Sequence, residues 1–451
     1  MGSADEPFLR DFYRALVDRP LEPDDPQYVP IYSDPTVADA DPTVTDPVQR
    51  LARGMRWAPL ESAQLFSGFR GTGKSTELRR LRHLLKGQGE KVVLCDMQRY
   101  LNLSTPVDIS DFLISAAGAL GDALTEDPDL LGQDLAHRGY FRRAVDFLTR
   151  TNIDLGNLHV TSKAGDASEN LRMGLQQDPT FRERLQAHLK GHLGALARDV
   201  REFMADCVKA VRHKHGEQTN LVVLFDSIEQ IRGSSVNDAD VFASVETLFV
   251  GHADKLKFQG MHMVYTVPPW LKVRSPGIGR LYDSSYLLPC IKVQQRNGEI
   301  FEPGLAVLRR IIEQRGNWRR LFAKPADLDY VLLETGGYLR DLLRVLQGIS
   351  MQAADRESMP VDRQGVEQEL SRVRNDYLPI ALADAHWLHR VARSHEAELP
   401  THAQLRDLSR YFDTHLLLCY RNGDEWYDLH PLIRKTVERL ARHDPPEPTA
   451  P

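Results

Sequence analysis

At 451 residues the chain is long for one compact core, and its length predicts two or three domains. With 42% apolar and 27% charged residues it has a globular composition, which excludes a disordered or fibrous chain. A formal charge of −6 excludes a global attraction to nucleic acid or anionic membrane, so any DNA contact has to be local.

The four cysteines, Cys95, Cys207, Cys290 and Cys419, are far apart and form no C-x-x-C pair, which argues against a disulfide framework or a thiolate zinc site. The first residues lack the basic and apolar regions of a secretion signal. No apolar run reaches the roughly 18 residues that a bilayer span needs. A soluble cytoplasmic protein is expected.

From the N-terminus, residues 20–47 carry repeated Asp-Pro and Glu-Pro steps and few apolar side chains, which predicts an extended segment rather than a helix. Residues 1–45 are accordingly read as an extended arm lying on the core. Residues 63–67 form a short apolar run and residues 76–85 a helical pattern with Leu78, Leu81 and Leu85 on one face. Further strand-length apolar runs lie at 91–96, 221–226, 261–267 and 286–293. Short apolar runs separated by helical stretches predict an α/β core with a mainly parallel five-stranded sheet between layers of helices, spanning 46–296.

Residues 105–216 interrupt that core as a large insertion. Within it one long helical stripe runs through Phe181, Leu185, Leu189, Leu193, Leu196, Val200, Phe203, Cys207 and Val211. Residues 151–165 alternate in character and are read as a projecting hairpin or loop. Helical patterns at 304–314, 326–334 and 339–351 predict a helical lid over 297–375. In 376–443, two helices precede apolar runs joined by Asn422-Gly423, a hairpin signal, and a last helix follows. That order suggests a winged helix. Residues 444–451 are Pro-rich and read as a disordered tail.

The chemistry concentrates in Gly68-Phe69-Arg70-Gly71-Thr72-Gly73-Lys74-Ser75, followed by Thr76. This G-x-x-x-x-G-K-S spacing lets successive backbone N–H groups curl around a polyphosphate. Lys74 would reach the β- and γ-phosphates, and Ser75 would ligate magnesium. The strand before and the amphipathic helix after supply the context the motif requires, with the helix N-terminus aimed at the same anion.

Hydrolysis needs a carboxylate near the magnesium and a group to orient water. Asp226 ends the strongest apolar run and suits the metal, with Glu229 three residues on for the water; alternatively both acids simply open a solvated loop. Thr266 closes the fourth run, where its hydroxyl could sense the γ-phosphate or merely reflect β-propensity. Arg340, in the first turn of a lid helix after Gly336-Gly337, could fork onto phosphate or stand exposed. Arg280 could serve a neighbouring subunit's nucleotide in trans, with Arg274 as its competitor, or be a solvated loop arginine. The His188/His192 and His386/His389 pairs lack a third ligand and are read as surface or packed histidines.

These motifs together resemble the AAA+ and STAND-type P-loop ATPases, including the origin-recognition-like branch. The residues that carry the resemblance are the loop at 68–76, VVLFDSIEQ at 222–230, VYTVPP at 264–269 and GGYLRDLLRVL at 336–346. It implies ATP and magnesium held between core and lid, and Asp46-Pro47-Val48 looks like the segment that contacts adenine in that group.

The spacing of Asp226 and Glu229 looks closer to the STAND side. By analogy the resemblance implies a regulatory switch working through an effector protein, as in bacterial signalling or antiviral defence, with nucleotide-dependent homo-oligomers as a further possibility. A DNA-binding initiator or transposition-type ATPase is the alternative, and a non-hydrolysing scaffold is a third reading. Arg406 and Arg410 alternate with Asp407 and Asp413, and Arg421 sits beside Asp424 and Glu425. That charge balance favours a protein contact over duplex DNA.

Overall fold

The computed structural model describes residues 5–33, 37, 45–131, 140–150, 167–234, 236–397 and 405–443. These divide into two compact units. One contains the described residues of Met1–Pro47, Gly68–Thr76 and Leu288–Pro451; the other contains those of Val48–Ser67 and Glu77–Leu287.

The second unit is built on the expected five-stranded parallel sheet, with strands β1 (Ser62–Gly68), β2 (Lys91–Asp96), β3 (Leu221–Asp226), β4 (Met261–Val267) and β5 (Ser284–Leu288) in the order β2-β3-β4-β1-β5. Every residue of β1, β3 and β4 is buried, as continuous apolar runs covered on both faces require. From β1 the chain crosses to the far edge at β2, returns through β3 and β4, and finishes on the other side of β1. Strand order therefore reverses at β1, where open α/β sheets form a crevice at their carboxyl ends. Register places Asp96 opposite Asp226 and Phe66 opposite Thr266, so these residues share that carboxyl edge.

The last apolar run differs from expectation. Residues 286–293 are not one strand, because β5 ends at Leu288 and the Pro289 that follows has no N–H to continue a ladder. Beyond it the Cys290 N–H donates to the Cys419 carbonyl in the first unit.

The described residues of the insertion are mainly helical. The Ile109–Glu126 helix is apolar on nearly every side and packs against β2 and against the helices Tyr140–Arg150, Pro179–Leu189 and Leu193–His215. The single stripe expected from 181 to 211 is in fact carried by two helices, broken around Gly191, and Leu193 at the restart is only half-buried. The hairpin expected at 151–165 lies outside the described residues.

In the first unit, residues 5–15 are not extended. Asp5–Ala15 is a helix because Leu9, Phe12 and Leu16 recur at three- and four-residue spacing and are buried, packed on the Leu339–Asp355 helix. Their core continues into Leu308, Trp318, Leu346 and Val366, among the helices Glu302–Glu313, Pro325–Glu334 and Arg363–Asn375. The C-terminal part runs helix Leu382–Ser394, helix Leu405–Asp413, antiparallel strands β6 (Leu417–Asn422) and β7 (Asp424–Leu429), and helix Pro431–Leu440. The tail expected at 444–451 lies outside the described residues. No helix among the described residues is long and apolar enough to cross a membrane.

Candidate phosphate-binding site

Gly68 ends β1 and Lys74 begins the Lys74–Gly87 helix, so the glycine loop joins the carboxyl end of the sheet to a helix N-terminus. Gly71 and Gly73 have φ of +76° and +95°, a region that side-chain-bearing residues avoid. A Cβ on Gly71 would also lie 2.6 Å from the Cβ of Arg340, whereas one on Gly73 would meet nothing within 4 Å. The first glycine is demanded by packing as well as by backbone; the second faces open space.

Among the described residues the backbone N–H groups of Gly71 and Gly73 donate to no protein acceptor. Lys74 is buried, and its Nζ donates to the Phe69 carbonyl at 2.6 Å. The Thr72 hydroxyl donates to the same oxygen at 2.8 Å. A curled backbone with spare donors, a buried cation and a helix N-terminus is a donor set suited to a polyphosphate.

Several groups of the first unit grip the loop. The Tyr338 hydroxyl donates to the Arg70 carbonyl at 2.8 Å, and Arg70 forms a close ion pair with Asp413. Phe69 stacks on Phe412 with centroids 5.5 Å apart and lies 5.8 Å from His415, which itself stacks on Tyr338 at 4.8 Å. Burial, with the charges of Arg70 and Arg340, pushes the His415 imidazole down to about 3, so this ring is neutral. Arg340, in the first turn of Leu339–Asp355, donates from Nε to Asp18 at 2.7 Å. The Leu21 N–H donates to the Thr76 hydroxyl at 3.1 Å.

Tyr338 lies inside the GGYLR motif and could have been singled out there. Asp18, Leu21 and His415 carry no local sequence signal.

In the second unit, Asp226 and Glu229 are both buried, at 4% exposure each, which excludes the solvated-loop reading of these acids. Between them Ser227 has φ of +71°, a conformation costly for serine and held by its neighbours. Its N–H donates to Asp226 at 2.8 Å. Thr266 accepts from the Ile228 N–H at 3.0 Å and donates to the Phe225 carbonyl at 3.2 Å. With its only proton committed there, Thr266 fastens the turn that carries both acids.

The remaining candidates are dispersed. Arg280 is exposed at the end of a short 3-10 turn, and Arg274 is committed to Glu246 at 3.2 Å. Asp46 precedes the Pro47–Trp57 helix, whose first residues Pro47 and Val48 are buried. The His188 and His192 rings stack at 5.3 Å, and the described residues contain no group of three side chains arranged for a metal.

No protein-family model matches the chain, and no curated protein does. Among solved structures it is similar to the Aeropyrum pernix ORC2 protein in its ADPNP-ADP complexes, at 12% identity and a TM-score of 0.42 over 95% of this chain and 96% of that one. It is also similar to Cdc6p from Pyrobaculum aerophilum, at 12% identity and a TM-score of 0.36 over 93% and 98%. A third likeness is to Drosophila ORC bound to DNA, at 10% identity and a TM-score of 0.37 over 98% and 93%. Likeness this shallow carries neither a ligand nor a partner across to this chain.

Proposed function

We propose that the chain is an ATP-binding switch that hydrolyses its nucleotide and passes its nucleotide state to a protein partner. The observation that carries this reading is the loop itself: unspent N–H groups at Gly71 and Gly73, beside the buried Lys74, at a helix N-terminus. Gly68 to Thr76 cradle the phosphates, and Asp46, Pro47 and Val48 contribute to adenine binding. Ser75 would ligate magnesium, which would supply charge neutralisation for the phosphates, and Asp226 is the carboxylate of the second unit with the chemistry to bind such an ion. Glu229 orients the attacking water, Arg340 reads the γ-phosphate, and Thr266 fixes the turn bearing the acids. Arg280, exposed, is the candidate for a trans contact in a nucleotide-dependent homo-oligomer.

The C-terminal helices and hairpin act as a winged-helix element directed at protein. Arg410 donates from Nη2 to both carboxylate oxygens of Asp384, at 2.8 and 2.9 Å, and Arg434 pairs with Asp428 at 2.6 Å, so these cations are partly neutralised before any phosphate backbone approaches. The side chain of Arg406 lies outside the described residues.

The test is ATP binding and phosphate release by the purified full chain, its Lys74→Ala variant and its Glu229→Gln variant. ATP binding lost in Lys74→Ala, and phosphate release lost in Glu229→Gln with binding retained, are the expected results. A wild type that binds no nucleotide would sink the switch. One that binds ATP but releases no more phosphate than Lys74→Ala would leave a non-hydrolysing scaffold.

A further inference from the structure

The Arg340 side chain lies directly against Gly71, and its only described hydrogen bond runs from Nε to Oδ2 of Asp18 at 2.7 Å. Its two terminal nitrogens bond to no described residue. Asp18 stands just past the Asp5–Ala15 helix, and three residues further on Leu21 donates to Thr76, the residue after the loop motif. The N-terminal arm therefore meets the loop region twice, once through Arg340 and once through Thr76.

A guanidinium offers paired N–H groups along two edges, and a single carboxylate oxygen on Nε leaves the terminal edge whole. We infer that Asp18 is a positioning residue for nucleotide recognition: it anchors Arg340 against Gly71 with the terminal edge open to a phosphate oxygen, and so helps the site distinguish nucleoside triphosphate from diphosphate. This rests on the ATP-binding reading above. A long arginine left unanchored must freeze several torsions on binding, and prior anchoring removes part of that cost.

The carboxylate of Asp18 also repels phosphate, which opposes the effect. The Arg340 and Asp18 side chains are 40% and 43% exposed, so water screens the repulsion while the hydrogen bond still sets direction. The same exposure limits the benefit to roughly two- to fivefold in affinity.

The experiment measures ATP and ADP dissociation constants, with magnesium, for the full chain and its Asp18→Ala, Arg340→Gln and doubly substituted variants. Asp18→Ala, which removes the acceptor, weakens ATP by roughly two- to fivefold and leaves ADP unchanged, and in the Arg340→Gln background it changes neither. Equal weakening of both nucleotides would reduce Asp18 to a tether for the arm and overturn the inference. Tighter ATP binding in Asp18→Ala would make Asp18 a competitor for Arg340 and overturn it too, as would an Arg340→Gln variant with an unchanged ATP-to-ADP ratio. A wild type that binds neither nucleotide is a separate outcome, because it removes the ATP-binding reading before any variant is compared.

Discussion

Tyr338 donates its phenolic proton to the backbone carbonyl of Arg70 at 2.8 Å, so the turn that introduces Arg340 is tied to the middle of the glycine loop. The phenol is 2% exposed, and the carbonyl has lost part of its access to water in accepting this bond. Tyr338→Phe keeps the stack on His415 and removes only the hydrogen bond. We expect a loss of about 1 kcal/mol in stability by urea unfolding. ATP affinity should fall as the loop loses its restraint. Unchanged affinity would show that this bond does not shape the loop.

Gly71→Ala tests the loop from inside. The φ of +76° costs an alanine about 1–2 kcal/mol, and its methyl would lie 2.6 Å from the Cβ of Arg340. The two strains act together, so the loop or the arginine must shift. Nucleotide binding should be lost while the far-UV circular dichroism spectrum stays close to that of the wild type. Gly73→Ala, whose methyl would meet no atom, carries the backbone strain alone and should be the milder change.

Asp111 predicts a pH dependence in the second unit. Burial pushes its carboxyl up to about 7, opposed by the hydrogen bond from Gln186, with Asp108 raising and Arg182 lowering it further. The folded pKa is above the unfolded value, so the folded state binds the extra proton. The stability that this proton supplies is complete below the unfolded carboxylate range, declines as pH rises and is gone above about 7. Asp111→Asn should therefore show a smaller fall in urea midpoint between pH 5 and pH 8 than the wild type. Identical slopes would show that Asp111 ionises freely.

What was legible in the sequence was what is local. The curled backbone of the glycine loop and the strand before it follow from contiguous residues whose spacing has a direct physical meaning. The sheet followed because strands covered on both faces read as short, mainly apolar runs. The break at Gly191 was hidden because apolar residues on either side kept helical spacing across it. The end of β5 was hidden by apolar residues that continue past Pro289 into a different unit. The helix at 5–15 was obscured by the Asp-Pro steps that follow it, although Leu9, Phe12 and Leu16 already had helical spacing. Asp18 was illegible for another reason: its partner lies 322 residues away, and an exposed acid in an arm carries no periodicity.

Thr266 separates a sensing role from a fastening one. Thr266→Val keeps the shape of the side chain but takes the acceptor from the buried Ile228 N–H and the donor from the Phe225 carbonyl. An unsatisfied buried N–H costs about 1–3 kcal/mol, and part of that strain can be relieved by moving the turn at Ser227. Because Asp226 precedes that turn and Glu229 follows it, displacement there reaches the two acids. We therefore expect lower stability and slower phosphate release, with ATP affinity close to wild type. Both would be read from urea unfolding and single-turnover assays at saturating ATP. If Thr266→Val instead retained full stability and lost ATP affinity selectively over ADP, the hydroxyl would be a γ-phosphate contact and its bonds to residues 225 and 228 would be incidental.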